Sequence, residues 1–313
     1  MADFADFGAS LQPMVRGAWQ QRVSLLKTQQ SMLHAFHAVY DMYSHMNTVD
    51  TEANIDRKEF AEGLADYAGD EGFLLKQQED FTFAYRDNVK EVCRIYLNAG
   101  TLADRLTVAY QLMRQLKHLK RNAFQFKVLH THQNRADNVV IYATQDDVAA
   151  IKGIVRNFDW ETCLRPEIPG GTEYLRDGIG WAEQPGGREK EFLLNVKSLF
   201  KEKNIPRDDA GVSFGGAMAA CVVLGLRSAM PVDGEWKGPQ HRSQYCDAVI
   251  NQLKRIGVDP AKPHTAIQLD KEEMVRQMRQ YYATKHPDMS IASLSVDELF
   301  REAAKMHARG KLT

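Results

Sequence analysis

Lys127 lies inside an alternating run, Phe124–Leu129 (FQFKVL), in which Phe124, Phe126 and Val128 share one strand face and Gln125, Lys127 and Leu129 the other. A lysine in mid-strand, flanked by aromatic and aliphatic residues, is open to two readings. Partial burial lowers a lysine pKa from its reference of about 10.4 and makes the amine a usable base. An amphipathic lysine with its stem packed on the sheet and its head in water fits the same pattern. The segment that follows favours the first reading. His130-Thr131-His132-Gln133-Asn134-Arg135-Ala136-Asp137 places two histidines, an arginine and an aspartate in one connection between two strands. Strand ends are where a rigid scaffold presents polar groups to a cleft. Histidine is the natural proton donor near neutral pH, and arginine the natural fork for a phosphate or carboxylate. His130 and His132 are therefore candidate acids and Arg135 a candidate anion ligand, with Asp137 as its orienting partner. Strict alternation sets both histidines on the face opposite Lys127, so a bulge or the strand's end must bring one round.

Two further clusters invite chemistry. In Arg176-Asp177-Gly178-Ile179-Gly180, a Gly-x-Gly after a basic residue can bring backbone N–H groups up to an anion, although the third glycine of a dinucleotide site is missing. Ser213-Phe214-Gly215-Gly216 resembles a nucleophile turn but lacks the flanking G-x-S-x-G pattern, so a helix cap with close-packing glycines is expected. His34, His37 and His45 have no ring of partners around them and read as ordinary helix residues rather than metal ligands.

These residues need a scaffold. From Trp19 to Tyr43, Trp19, Val23, Leu26, Leu33, Phe36 and Tyr40 recur at helical spacing and predict one apolar stripe. A short helix is expected over 57–67. Residues 89–98 alternate, with Cys93, Ile95 and Leu97 on one face and Arg94, Tyr96 and Asn98 on the other, which predicts a half-buried strand. Thr101 with Asp104 makes a capping box for an amphipathic helix to about residue 120. Strands are expected over 123–130 and 138–143, and a helix capped by Asp146 runs to Phe158. The Gly- and Pro-rich stretch 165–185 reads as a loop followed by a short strand over 178–182. A charged helical insert over 189–203 precedes Ser213–Leu226, an apolar helix suited to close packing on the sheet. Two more helices, about 270–284 and 295–307, close the chain. The fold class is α+β, a mostly antiparallel sheet with helices packed on one face after a helical amino-terminal region. The expected division is a helical region over 1–80 and an α+β domain over 81–313.

Composition narrows the function classes. The 313 residues are 44% hydrophobic, enough for a sizeable core. Forty basic against 41 acidic residues give a net charge of −1, which argues against nucleic-acid binding while leaving room for a local basic pocket. Four scattered cysteines form no C-x-x-C pair, so a reducing, cytoplasmic compartment and no cysteine-based metal site are expected. No run reaches about 18 apolar residues, and the opening MADFADFGAS has no basic-then-apolar pattern, so neither a membrane span nor a secretory signal is expected.

In order along the chain, RIYLN (94–98), FQFKVLHTHQNRADNVVIY (124–142), PGGTEYLRDGIGWAEQP (169–185) and SFGGAMAACVVLGL (213–226) resemble the HopA-type effector family, over less than half the sequence. Bacterial type III effectors founded that family. Its relatives act as lyase components in class V lanthipeptide and thioamide-peptide biosynthesis, beside a kinase-like partner that phosphorylates the precursor peptide. The resemblance implies a phosphoserine/phosphothreonine lyase without cofactor or metal, acting on a phosphorylated precursor peptide to leave dehydroalanine or dehydrobutyrine. It casts Lys127 as base, His130 or His132 as acid, and Arg94, Arg135, Asp137, Tyr142 and Arg176 as substrate-binding residues. In the similar phosphothreonine lyases the histidine falls two residues after the lysine, where Leu129 stands here. Met218 stands where many relatives carry a basic residue. The other class consistent with the sequence is a non-enzymatic effector or binding module that keeps the fold and engages a host or chaperone protein. A lyase requires Lys127, a histidine and two arginines to converge on one pocket of phosphate size, and Arg135 with Arg176 is the pair expected to share it. A Lys127 splayed on open surface favours the binding module.

Overall fold

The computed structural model describes residues 2–26, 31–45, 55–86, 93–119, 124–131, 133, 135–160, 163–185, 192, 194–196, 213–231, 236, 238–267, 269–285, 294–309 and 311–312. Two compact units emerge, one of residues 9–14 and 38–184, the other of residues 1–8, 15–37 and 185–313. They cut the chain at other places than the boundary expected near residue 80.

The first unit is built on a seven-stranded sheet of order β1-β2-β4-β5-β3-β7-β6. Its strands are β1 (Leu74–Gln77), β2 (Phe81–Tyr85), β3 (Cys93–Leu97), β4 (Phe124–Leu129), β5 (Val139–Ala143), β6 (Glu173–Arg176) and β7 (Ile179–Glu183). Every pairing is antiparallel, as the alternating runs predicted. One sheet face is apolar: Cys93, Ile95, Leu97, Phe124, Phe126, Val128, Val139, Ile141 and Ala143 are buried in a single core. The helices α4 (Arg57–Glu71), α5 (Leu102–Leu116) and α6 (Val148–Asn157) contribute to the same core through residues such as Phe60, Leu112 and Ile151. Helices thus cover one face, as expected.

Local chemistry explains the boundaries. Asp104 N–H donates to Thr101 Oγ1 at 3.2 Å and Thr101 N–H to Asp104 Oδ2 at 2.7 Å, the reciprocal box that starts α5. The residue before α6 is Asp147 rather than Asp146, and its side chain makes no cap bond; instead the Thr144 hydroxyl accepts the Asp147 N–H at 3.3 Å and donates to Asp147 Oδ2 at 2.7 Å. The stretch 173–176 is a strand, not a loop. It folds back on β7 through Asp177-Gly178, where Gly178 takes φ 72°, a left-handed conformation that glycine adopts without penalty. Residues 74–77 and 81–85 form an edge hairpin that the sequence reading did not assign.

The second unit is helical in its described residues. The expected single stripe from Trp19 to Tyr43 is divided among α1 (Gln12–Gln20), α2 (Arg22–Leu26) and α3 (Ser31–Ser44), of which residues 12–14 and 38–44, Tyr40 and Tyr43 included, belong to the first unit. Arg22 donates from Nη1 to the Trp19 carbonyl at 2.8 Å, taking an oxygen at the end of α1, and Val23 is left 43% exposed. The apolar helix α7 (Phe214–Ser228) is capped by Ser213, whose Oγ accepts the Gly216 N–H at 3.0 Å. It packs on α8 (Gly238–Arg255), where Gly225 lies against Val249 too closely for any Cβ. This helix, expected to pack closely on a sheet, lies in the second unit. α9 (Lys271–Lys285) and α10 (Val296–Ala308) share a small core of Met274, Val275, Met278, Leu299 and Ala303. The insert expected over 189–203 lies mostly outside the described residues. Among the described residues, no helix is long and apolar enough to cross a membrane.

Candidate functional site

The face of the sheet opposite the helices carries the polar residues, and strand register alone brings several together. Arg94 pairs with Tyr142, Tyr96 with Val140, Lys127 with Val140 and Gln125 with Tyr142. Directly paired residues share a face, so Lys127, Tyr142, Arg94 and Tyr96 point the same way from three adjacent strands. Strands two apart in a sheet lie about 10 Å apart, a span that lysine and arginine side chains cover. Arg94 stacks over the Tyr142 ring at 5.4 Å, and the Lys127 ammonium sits 5.2 Å from the centre of the Phe81 ring. Lys127 is half-buried, while Arg94 and Tyr142 are only 7% and 8% exposed.

At the end of β4 the connection to β5 supplies an ion pair of defined geometry. Arg135 Nε donates to Asp137 Oδ1 at 2.9 Å and Nη2 to Asp137 Oδ2 at 2.8 Å, a bidentate fork. Nη2 also donates to the Tyr40 phenol oxygen at 2.7 Å, and that phenol donates to Asp137 Oδ2 at 3.2 Å. Among the described residues, Arg135 Nη1 has no hydrogen-bond acceptor. Burial acts to raise the Asp137 pKa, but the Arg135 charge and hydrogen bonds, then Lys127 and Tyr40, hold it below the usual carboxylate value. Burial is also the largest cause that raises Tyr40, Tyr43 and Tyr96, the last to about 12, so all three phenols stay protonated near neutrality. Tyr43 and Arg94 both interact with the Tyr96 phenol. The tyrosines of α3 thereby join the polar sheet face to the Arg135–Asp137 pair.

Two structural residues hold this arrangement and were not singled out in the sequence. Arg105 is 1% exposed and spends its guanidinium on carbonyls: Nη1 on Leu129 at 3.3 Å and Thr131 at 2.5 Å, Nη2 on Gln133 at 2.8 Å and Gly100 at 3.5 Å. It pins the connection that leads to Arg135. Asn138, fully buried, exchanges two hydrogen bonds with the Ala99 backbone, at 2.9 and 2.7 Å, and so continues the β3–β5 pairing past its last residue. Only Tyr40, spaced three residues from Tyr43 on α3, and Tyr96, alternating with Arg94, left a readable signal in the sequence.

Other expected members lie elsewhere. His130 is 3% exposed, with Nε2 2.9 Å from the Glu79 carbonyl and Nδ1 3.2 Å from Thr82 Oγ1. A ring nitrogen facing a carbonyl carries a proton, and the threonine hydroxyl engages the other nitrogen, so both ring positions are occupied. It cannot turn toward Lys127. His132 falls outside the described residues. Arg176 donates from Nη1 to the Arg156 and Phe158 carbonyls, at 3.1 and 2.9 Å, closing the carboxyl end of α6. Its register partner Ile179 belongs to the core beneath the helices, so Arg176 and Arg135 are on opposite sides of the sheet and share no pocket. The Gly178 N–H is taken by the Pro166 carbonyl at 3.1 Å, so this turn offers no such donor to an anion. Gly180 lies in β7 beside Thr172, whose Oγ1 would be 2.6 Å from any added Cβ.

Fold and site together define an α+β protein with an antiparallel sheet, one face covered by helices and the other bearing cations and phenols. Residues 65–195 match the HopA1 effector protein family. That span includes Lys127, Arg94, Arg135, Asp137 and Tyr142, and leaves out Tyr40 and Tyr43. Two solved structures are similar. The effector protein from Pseudomonas syringae pv. syringae strain 61 is 14% identical with a TM-score of 0.51, over 82% of this chain and 98% of that one. The effector protein from Pseudomonas syringae pv. tomato strain DC3000 is 17% identical with a TM-score of 0.49, over 82% of this chain and 99% of that one. At such identity the likeness concerns the fold. No curated protein matches.

Proposed function

We propose that the protein is a phosphoserine/phosphothreonine lyase acting on a phosphorylated precursor peptide, supplied by a separate kinase-like partner. The observation that supports this most is that Lys127 shares one sheet face with Arg94 and Tyr142, next to an Arg135 held in place by Asp137 and Tyr40. In the neutral form, the Lys127 amine takes the Cα proton of the phosphorylated residue. The electron pair of that C–H bond forms the Cα=Cβ double bond, and the Cβ–O bond breaks with its electrons leaving on phosphate. Arg135 Nη1, with Arg94, holds the departing dianion, since a fork of fixed orientation stabilises charge as it develops. With His130 locked, the leaving group is handled by arginine unless His132 supplies the proton. The product is dehydroalanine or dehydrobutyrine.

Lys127→Ala should abolish elimination while leaving the fold intact, because the side chain contributes nothing to the apolar core. Lys127→Arg should fail equally, since a guanidinium does not accept a proton at working pH. Turnover by either variant, read by loss of phosphoric acid from a phosphopeptide, would show that another group is the base. The near-closure of Arg94 and Tyr142 favours a second reading, a binding module for a host or chaperone protein that retains the fold. Under that reading no phosphopeptide is consumed.

A further inference from the structure

The polar sheet face does not end at Lys127. Toward the β1 edge it carries a band in which cations and aromatic rings alternate across the strands. Lys76 of β1 pairs with Phe83 of β2, and Phe83 with Lys127 of β4. One step along, Leu74 pairs with Tyr85. Phe81 lies two residues before Phe83 on the same face, their rings 5.2 Å apart and perpendicular. Phe81, Phe83 and Tyr85 are half-buried, Lys76 is exposed, and Leu74 is 59% exposed. Lys76 pairs with no carboxylate among the described residues. Apolar residues on one strand face ordinarily go under a covering element, as Phe124 and Phe126 do on the opposite face. Here aromatic side chains keep accessible surface beside cations that lead toward the candidate site.

We propose that this band is the subsite for the residues flanking the phosphorylated one, and that it selects an extended phosphopeptide with an aromatic or branched aliphatic side chain near the phosphate. This rests on the lyase reading for the phosphate's destination. Alternate residues of an extended peptide recur every 6–7 Å or so, which matches the spacing of Phe81 and Phe83 along their own strand. A peptide running along β2 sets one side chain on the Phe81–Phe83 pair while the phosphorylated residue brings its Cα to Lys127 and its phosphate toward Arg94 and Arg135. Lys76 attracts the anionic segment from the outer side. An acidic or glycine-flanked phosphopeptide gains the charge attraction without the apolar contact.

The test measures binding without turnover. It uses peptides that carry a phosphonate analogue, with CH₂ in place of the ester oxygen, from which no phosphate can leave. One peptide has leucine or phenylalanine flanking the phosphonate, the other glycine. Fluorescence anisotropy on the full-length protein should show the apolar-flanked peptide bound about tenfold more tightly, the worth of one well-packed side chain. Phe83→Ala should remove that preference and leave the glycine-flanked peptide within about twofold. Lys76→Glu, on an exposed position that does not threaten folding, should weaken both peptides, with an effect that fades as salt rises. Equal binding of the two peptides by the unmodified protein overturns the proposal. So does an unchanged preference in Phe83→Ala, or concentration-dependent dimerisation that Phe83→Ala abolishes, which would give the band to a second copy. The two readings separate cleanly. Selective binding of the phosphonates with no loss of phosphoric acid from true phosphopeptides keeps the band and sinks the lyase, whereas elimination indifferent to flanking residues does the reverse.

Discussion

His130 shows how a residue's chemistry is decided by its neighbours. Its type and its place after Lys127 made it a candidate acid, yet Glu79 and Thr82 occupy both ring nitrogens. Those partners come from around the β1–β2 hairpin, which the sequence reading had not assigned, so nothing in the local pattern warned of the lock. His130→Ala should lower stability by about 1–3 kcal/mol through the polar groups it orphans, measured by urea unfolding. It should not cause the loss in turnover of about 10²–10⁴-fold that removal of an acid brings. The Arg135–Asp137 pair, by contrast, was legible, since two residues of opposite charge two positions apart at a strand end can close a fork. Asp137→Asn should cost about 3–5 kcal/mol because it leaves Arg135, whose side chain is 18% exposed, without its counter-charge. The sign of the pH effect follows from the depressed Asp137 pKa. Unfolded aspartate titrates at about 3.9, so this pair's contribution is full above that pH and is lost as pH falls through the lower folded value. Acid titration of the unmodified protein against Asp137→Asn should show that limb only in the former. Arg135→Lys should weaken phosphopeptide binding even though charge is kept, because an ammonium cannot hold Asp137 bidentately and reach a phosphate as well.

At the scale of elements, alternation was a sound guide wherever one face is apolar and the other polar. β3, β4 and β5 lie within the ranges it predicted, and the faces assigned to Arg94, Tyr96 and Lys127 are those observed. It missed β2, although FTFAY alternates, a short run with no turn signal of its own to set it off from the acidic segment before it. It missed β6 because glycine and proline dominate its surroundings, and β6 exists only by pairing with β7 across a turn. That turn makes a definite demand. Gly178→Ala should destabilise by about 1–2 kcal/mol from its left-handed backbone alone, with more from contact with the Arg165 carbonyl. A thermal melt of the variant beside the unmodified protein reads this, and an unchanged midpoint would show that the turn can relax. The apolar stripe expected over Trp19–Tyr43 is interrupted between α1 and α2 for a related reason. Its apolar spacing continues through residues where Arg22 takes the Trp19 carbonyl, and periodicity carries no record of such a side-chain bond.

For the whole molecule, the sequence made the α+β class and the cation-bearing sheet face legible, but not the partition of the chain. The apolar helix α7 falls in the second unit, and apolar composition alone does not say in which unit a helix is buried. The family match over residues 65–195 coincides with most of the sheet and its candidate residues, which makes that unit the one to test for chemistry. The most direct measurement is mass spectrometry of a phosphothreonine peptide with an apolar flank after incubation with the full-length protein, beside Lys127→Ala. The account predicts a product lighter by phosphoric acid, carrying a dehydrobutyrine that adds a thiol, and no such product with the variant. A product lighter by HPO₃, with threonine restored, would make the protein a phosphatase, and an unchanged peptide would leave the lyase account contradicted.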